Sequence, residues 1–279
     1  MKKTGLRIIF VLALCICIGS AGYLGYRVYH NMEQAKKEAM MKEMAESTTQ
    51  EKISIEDLLD LEFNGERDGY TTPIPDDVFT KDSDKKINFE KLHEYNDELI
   101  AWIYVKGTKI DYPIARHEGE DQTFYLNYDM YKEPSYSGCI YMEDLNAADF
   151  TDNNTIIYGH NMRNGTMFKG LHQFEDMKFF EKNKYIYIYL PDRTLVYEIF
   201  ASYITDDMHI LSAYDFTNEK VYAEYLANIT DPHVMGANVR EGTQLTTDDT
   251  IITLSTCVGG QPEERYLVQG VLKYDKKNK

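Results

Sequence analysis

Eight short apolar or alternating runs between Ala101 and Tyr274 constrain this chain more than any other feature. They are Ala101–Val105, Lys109–Ile114, Gly138–Met142, Thr155–Tyr158, Lys184–Leu190, Thr194–Ile204, Thr250–Thr256 and Arg265–Tyr274. Each reads as a β-strand, being short, rich in β-branched and aromatic residues and bounded by turn formers. Lys184–Leu190 (KYIYIYL) alternates, and Pro191-Asp192-Arg193 joins it to the next run as a hairpin. Gly107-Thr108 is a tight connection between the first two runs. Helical patterns are confined to Phe89–Ile100, Phe174–Asn183 and Asn218–Ile229. Strands in this number, with helices only as insertions, predict a mainly β fold closed or nearly closed into a barrel. Periodicity alone leaves a sandwich open.

The N-terminal segment is of another kind. Ile8 to Tyr26 runs 19 positions without a charge, and at about 1.5 Å per residue it spans roughly one hydrocarbon core. The run predicts a transmembrane helix. Lys2, Lys3 and Arg7 precede it, which places the N-terminus on the cytoplasmic side and the remainder outside the cell. Arg27, Lys36 and Lys37 on the far side soften that asymmetry. A cleaved signal peptide is the competing reading, but the run is longer than a usual signal core and continues past Ser20-Ala21-Gly22. Residues 31–46 read as a juxtamembrane helix. Residues 47–86 read as a tether with at most one short helix, over Ile53–Leu61. The expected organisation is a signal anchor over 1–30, helix and tether over 31–86, and a catalytic domain over 87–279.

The net charge of −16 excludes a basic nucleic-acid footprint. Four cysteines do not make a disulfide scaffold. Cys15 and Cys17 lie inside the apolar run as filler, and Cys139 reads as core. Cys257 differs, because it ends an apolar strand and opens into Val258-Gly259-Gly260. A strand end at a glycine loop places a side chain at a rim, where a nucleophile is needed. A buried structural cysteine is the bland alternative. A free thiol, with a pKa near about 8.5, needs a base beside it. Of seven histidines, His160 also follows a strand end, with Gly159 removing bulk beside it. The other six sit in polar or helical contexts and are read as having no role. Arg265 opens the strand after the Cys257 loop and offers a permanent charge with five N–H donors. Its bland alternative is a surface pairing with Glu263 or Glu264. No Cys-x-x-Cys, His-x-His or His-Glu-x-x-His spacing occurs, so neither a metal site nor a cofactor is expected.

Taken together, Tyr158-Gly-His-Asn-Met162, Thr253-Leu-Ser-Thr-Cys257 and Arg265 resemble the sortase signature, specifically that of class B sortases. Ala101–Pro113 and Gly138–Asp144 resemble class B sequence too, so the likeness runs from about residue 87 to the end. The resemblance implies an eight-stranded sortase β-barrel and a membrane-anchored cysteine transpeptidase of Gram-positive cells. It implies Cys257 as nucleophile, His160 as general acid/base and Arg265 as oxyanion donor. Cleavage would follow the Thr of a C-terminal sorting signal of Asn-Pro-x-Thr or Leu-Pro-x-Thr type. A peptidoglycan-precursor amine would resolve the thioacyl enzyme. Tyr158, Ser255 and Leu126 match positions lining the substrate groove. Gln122 stands on the substrate wall, where the family often has Asn. Met208–Leu245 matches the inserted segment that closes the groove. Val258, Gly259 and Gly260 leave no acidic residue after Cys257 for a triad, and Cys139 stands where Ser is usual. Two alternatives are a pilin polymerase using a Lys acceptor and a catalytically silent membrane-anchored binding ectodomain.

Overall fold

Parity along each strand decides which residues face inward, and nine strands use it to form one sheet. They are β1 Leu99–Val105, β2 Asp111–Arg116, β3 Ile140–Met142, β4 Asn154–Tyr158, β5 Tyr185–Tyr189, β6 Arg193–Asp206, β7 Asn238–Val239, β8 Ile251–Val258 and β9 Gln261–Lys277. The order is β5-β1-β2-β3-β4-β8-β9-β6-β7, and β5 also pairs with β6. That last pairing closes eight strands into a barrel and rules out the sandwich. Each of the eight runs read from the sequence is one barrel strand. The ninth, two-residue β7 hangs on β6.

The computed structural model describes residues 2–46 and 85–278, with side chains from residue 16 onward except residue 18. Two compact units divide the chain, Met1–Met44 and Ala45–Lys279. Helix α1, Lys2–Glu46, carries the charge-free run and the expected juxtamembrane helix without a break. Much of Ile8–Tyr26 lies outside the described side chains. Among the described residues no helix is long and apolar enough to cross a membrane. The short helix expected over Ile53–Leu61, with most of the tether, lies outside the described residues.

Within the barrel, Ile140, Met142, Ile157, Ile186, Ile188, Ile252, Leu254 and Val268 point inward and are buried. Each such side chain contributes roughly 1.5–3 kcal/mol. The opposite parity builds a second cluster on the outer face. There Ile156, Ile251, Leu267 and Val271 pack beneath Tyr222, Tyr225, Leu226 and Ile229.

Two of the three expected helices are shorter than expected, and the third, Asn218–Ile229, lies one residue along at Glu219–Thr230. Helix α2 covers only Phe89–His93, not the run to Ile100. Asn96 ends it: its Oδ1 accepts the Glu98 N–H at 2.9 Å, a local turn, and its Nδ2 donates to Tyr125 Oη and Met130 O. This turn, over residues 97–98, leads into β1. A four-residue helix, α3, spans Phe124–Asn127. The run Phe174–Asn183 divides at Asp176. A 3₁₀ helix over Phe168–Glu175 precedes it and α4, Met177–Lys182, follows, with the Asp176 carboxylate accepting from Phe179 N. Between β6 and β8 lie α5, Ile210–Ala213, and α6, Glu219–Thr230. Asn218 caps α6 by accepting from Lys220 N and Val221 N.

Candidate active site

Strands β4 and β8 are parallel with Tyr158 opposite Ser255, and β8 and β9 are antiparallel with Cys257 opposite Arg265. The outer-face cluster takes even residues of β4 and odd residues of β8 and β9. Tyr158, Ser255, Cys257 and Arg265 therefore share the outer face. His160, two residues beyond Tyr158, emerges at the same rim as Cys257, two beyond Ser255. A slip of one residue in either ladder would turn these side chains to opposite faces. Cys257 is an exposed free thiol, whereas Ser255 and Thr256 behind it are buried.

Glycine lets the chain carry His160 out of the sheet. The Gly159 N–H donates to Ser255 O at 3.2 Å, and Thr256 Oγ1 donates to Gly159 O at 2.7 Å. A Cβ on Gly159 would lie 2.5 Å from Ile140 Cδ1 and 2.8 Å from the Phe168 ring, so no larger residue fits. His160 Nε2 donates to the Leu126 carbonyl at 2.9 Å. The proton is on Nε2 because a carbonyl only accepts. The His160 ring lies parallel to Tyr136, 6.4 Å between centroids. Leu126 O is closely backed by Gly138, at φ +58°, where a Cβ would come within 2.7 Å of it.

Arg265 is held by its own hairpin. Nη1 donates to Pro262 O at 2.8 Å and Glu264 O at 3.0 Å, while Nη2 lies 3.8 Å from Asp207 Oδ2. Its carboxylate partner is Asp207, rather than the side chains of Glu263 or Glu264.

The floor beside the thiol is aromatic. Tyr141 and Tyr158 stack with centroids 5.4 Å apart. Burial pushes both phenols well above the usual tyrosine range, and the Glu143 carboxylate adds to this. Cys257 also raises Tyr141 and Arg265 opposes it, a sign of how near both lie. Glu143 is itself buried and accepts from His209 Nε2 at 2.8 Å. Burial raises its carboxyl above the usual range, against the pull of His209. This pair ties the exit of β3 to the start of the segment between β6 and β8. Under that segment lies a pocket of about 230 Å³, lined by Tyr203, Met208, Ile210, Tyr214, Ile229 and Leu267 among others. Cys257 does not line it.

Gln122 stands apart from this cluster. Its amide donates to Gly119 O at 2.6 Å and accepts from Asp144 N at 2.8 Å, bracing two loops. Cys139 is buried, its thiol 4.0 Å from Pro113 O. Two residues that the sequence reading passed over do reach Cys257. Asn161 Nδ2 donates to Cys257 O at 2.7 Å, and His172 Nε2 lies 3.1 Å from the same oxygen. Asn161 was signalled only by its place after His160, and nothing in the sequence marked His172.

Comparison with known proteins gives the family. The sortase domain family matches residues 103–273. Sortase B of Listeria monocytogenes is 31% identical over 205 residues, 70% of this chain and 80% of the relative. The crystal structure of Clostridium perfringens sortase B is 32% identical with a TM-score of 0.60, over 67% of this chain and all of that one. Bacillus anthracis sortase B, solved in complex with a compound named AAEK1, gives a TM-score of 0.67 at 25% identity, over 90% of this chain and 100% of that one. With its closed eight-stranded barrel, and with Cys257, His160 and Arg265 at one rim, the chain belongs to the sortase family of cysteine transpeptidases, in class B.

Proposed function

We propose that the chain cleaves a C-terminal sorting signal after Thr and joins the new carboxyl end to a cell-wall amine. The observation carrying this reading is the register that brings Cys257, Arg265 and the exit to His160 onto one face at one rim. The Cys257 thiolate attacks the Thr carbonyl carbon and the C–S bond forms. The carbonyl electron pair moves to oxygen, where the Arg265 guanidinium donates hydrogen bonds. Collapse breaks the C–N bond, and His160 gives its proton to the departing amine. With Nε2 engaged by Leu126 O, Nδ1 is the nitrogen available for this transfer. An acceptor amine then attacks the thioester and loses its proton to His160, restoring the thiolate.

Tyr158, Ser255 and Leu126 form the groove wall for a signal of Asn-Pro-x-Thr or Leu-Pro-x-Thr type. Gln122 acts there by holding the loops over Gly119 and Asp144. The acceptor is a peptidoglycan-precursor amine. Residues 1–30 anchor the protein in the membrane with a cytoplasmic N-terminus, 31–86 tether it, and the catalytic domain, 87–279, works outside the cell. The charge-free run Ile8–Tyr26 and the unbroken helix α1 support this anchor.

The test incubates purified full-length protein with Leu-Pro-x-Thr and Asn-Pro-x-Thr peptide libraries and reads products by mass spectrometry. Cleavage after Thr and a thioacyl adduct on Cys257 are expected, and both vanish in Cys257→Ala but persist in Cys139→Ser. Turnover surviving in Cys257→Ala would end this reading.

A further inference from the structure

Alternate carbonyls of β8 face β4. Ser255 O accepts the Gly159 N–H at 3.2 Å. Two residues on, Cys257 O faces the same side, where a continuing strand would offer the N–H of residue 161. The backbone has already turned away there. Asn161 instead pairs with Met167 in an isolated antiparallel bridge, part of the turn that brings His160 out.

The Asn161 side chain takes the vacant place in the ladder, donating from Nδ2 to Cys257 O at 2.7 Å. The same nitrogen lies 2.9 Å from His172 Nε2. His172 Nδ1 is 2.6 Å from Glu175 Oε1. A carboxylate only accepts, so His172 Nδ1 donates to Glu175. Asn161 Nδ2 and His172 Nε2, the latter 3.1 Å from Cys257 O, converge on that one carbonyl. The His172 ring is fixed in turn by stacking on Tyr266, 5.0 Å between centroids at 23°.

The peptide held in this way is the one that needs holding. The β8–β9 register breaks between Cys257 and Val258, so the ladder orients the nucleophile from one side only. Asn161 is covalently next to His160. One amide therefore ties the nucleophile's own peptide to the neighbour of the base. We propose that Asn161, aligned by His172 and Glu175, is a positioning residue that sets Cys257 against His160 for acyl transfer. The proposal rests on Cys257 as nucleophile and His160 as acid/base.

The experiment compares Asn161→Ala, His172→Phe and their double variant in the full-length protein. Peptide cleavage is scaled to alkylatable Cys257, beside thermal unfolding. Asn161→Ala should lose roughly 10- to 100-fold in kcat, as small misplacements of reacting groups do. Its KM should stay within about twofold. His172→Phe keeps the stacked ring and should lose less. The double variant should be no slower than Asn161→Ala, because His172 acts through the amide. Unchanged kcat per reactive thiol in Asn161→Ala, with only a lower melting temperature, would overturn the proposal, as would losses that multiply in the double variant. Should Asn161→Ala not fold, His172→Phe and Glu175→Gln decide: a kcat loss at constant KM supports the proposal, and native kcat in both overturns it. An inactive Cys257→Ala beside a fully active Asn161→Ala defeats the positioning role alone. Activity in Cys257→Ala defeats the underlying reading.

Discussion

Arg265 stands directly across the β8–β9 ladder from Cys257, a relation that puts Cβ atoms about 4.5–5.5 Å apart. Two carbonyls, Pro262 O and Glu264 O, hold Nη1. The half-exposed Asp207 contact adds little stability, so the arginine's value lies in what its remaining N–H groups reach. A lysine keeps the charge but has one ammonium in place of the fork, and cannot hold the hairpin and serve an oxyanion together. Arg265→Lys should fold normally and alkylate normally at Cys257. It should lose roughly 10²–10³ in kcat, the scale of one oxyanion donor. Loss confined to KM would make Arg265 a substrate clamp, and native kcat a surface ion-pair residue.

The segment between β6 and β8 covers the outer face, and the Glu143–His209 pair secures its start. His209 also accepts at Nδ1 from Ser212 N at 3.2 Å, so the same ring caps α5. Because burial raises the Glu143 carboxyl above its ordinary 4.5, the folded chain binds that proton more tightly than the unfolded one. The stability contributed by Glu143 is therefore fully present below about pH 4.5 and declines as pH rises through the raised folded value. Glu143→Gln removes this slope. Urea midpoints at about pH 4 and about pH 7 should show the wild type losing ground to the variant at the higher pH. A difference that grows in the wild type's favour instead would refute the assigned direction.

At the scale of the whole molecule, Ala45–Lys279 forms its own compact unit around the barrel. Cys257, His160 and Arg265 lie far along the sequence from α1. A chain beginning at residue 31 should therefore stay in solution without detergent and cleave signal peptides with near-native kcat/KM. Measured side by side with the full-length protein, a folded but inactive fragment would mean that α1 contributes to the site itself.

The eight strands were legible because alternation is a property of the local backbone, and KYIYIYL can bury Ile186 and Ile188 together only as a strand. The strand-end positions of Cys257 and His160 were legible too, since each closes an apolar run, with Gly159 beside His160 and Gly259-Gly260 two residues after Cys257. Partner choice beyond the hairpins was not. The parallel pairs β2–β3 and β4–β8 and the antiparallel β1–β5 pair depend on residues far apart in the chain. Helix α2 was overextended on the sequence because Asn96 is held by Tyr125 and Met130, 29 and 34 residues away. For the same reason His172 looked idle, although its ring lies 3.1 Å from a carbonyl 85 residues distant. Local periodicity, a short-range steric effect, determined the strands and the face each residue takes. Only the tertiary structure decided which faces meet, because register is set by packing and hydrogen bonds between segments that no local pattern connects.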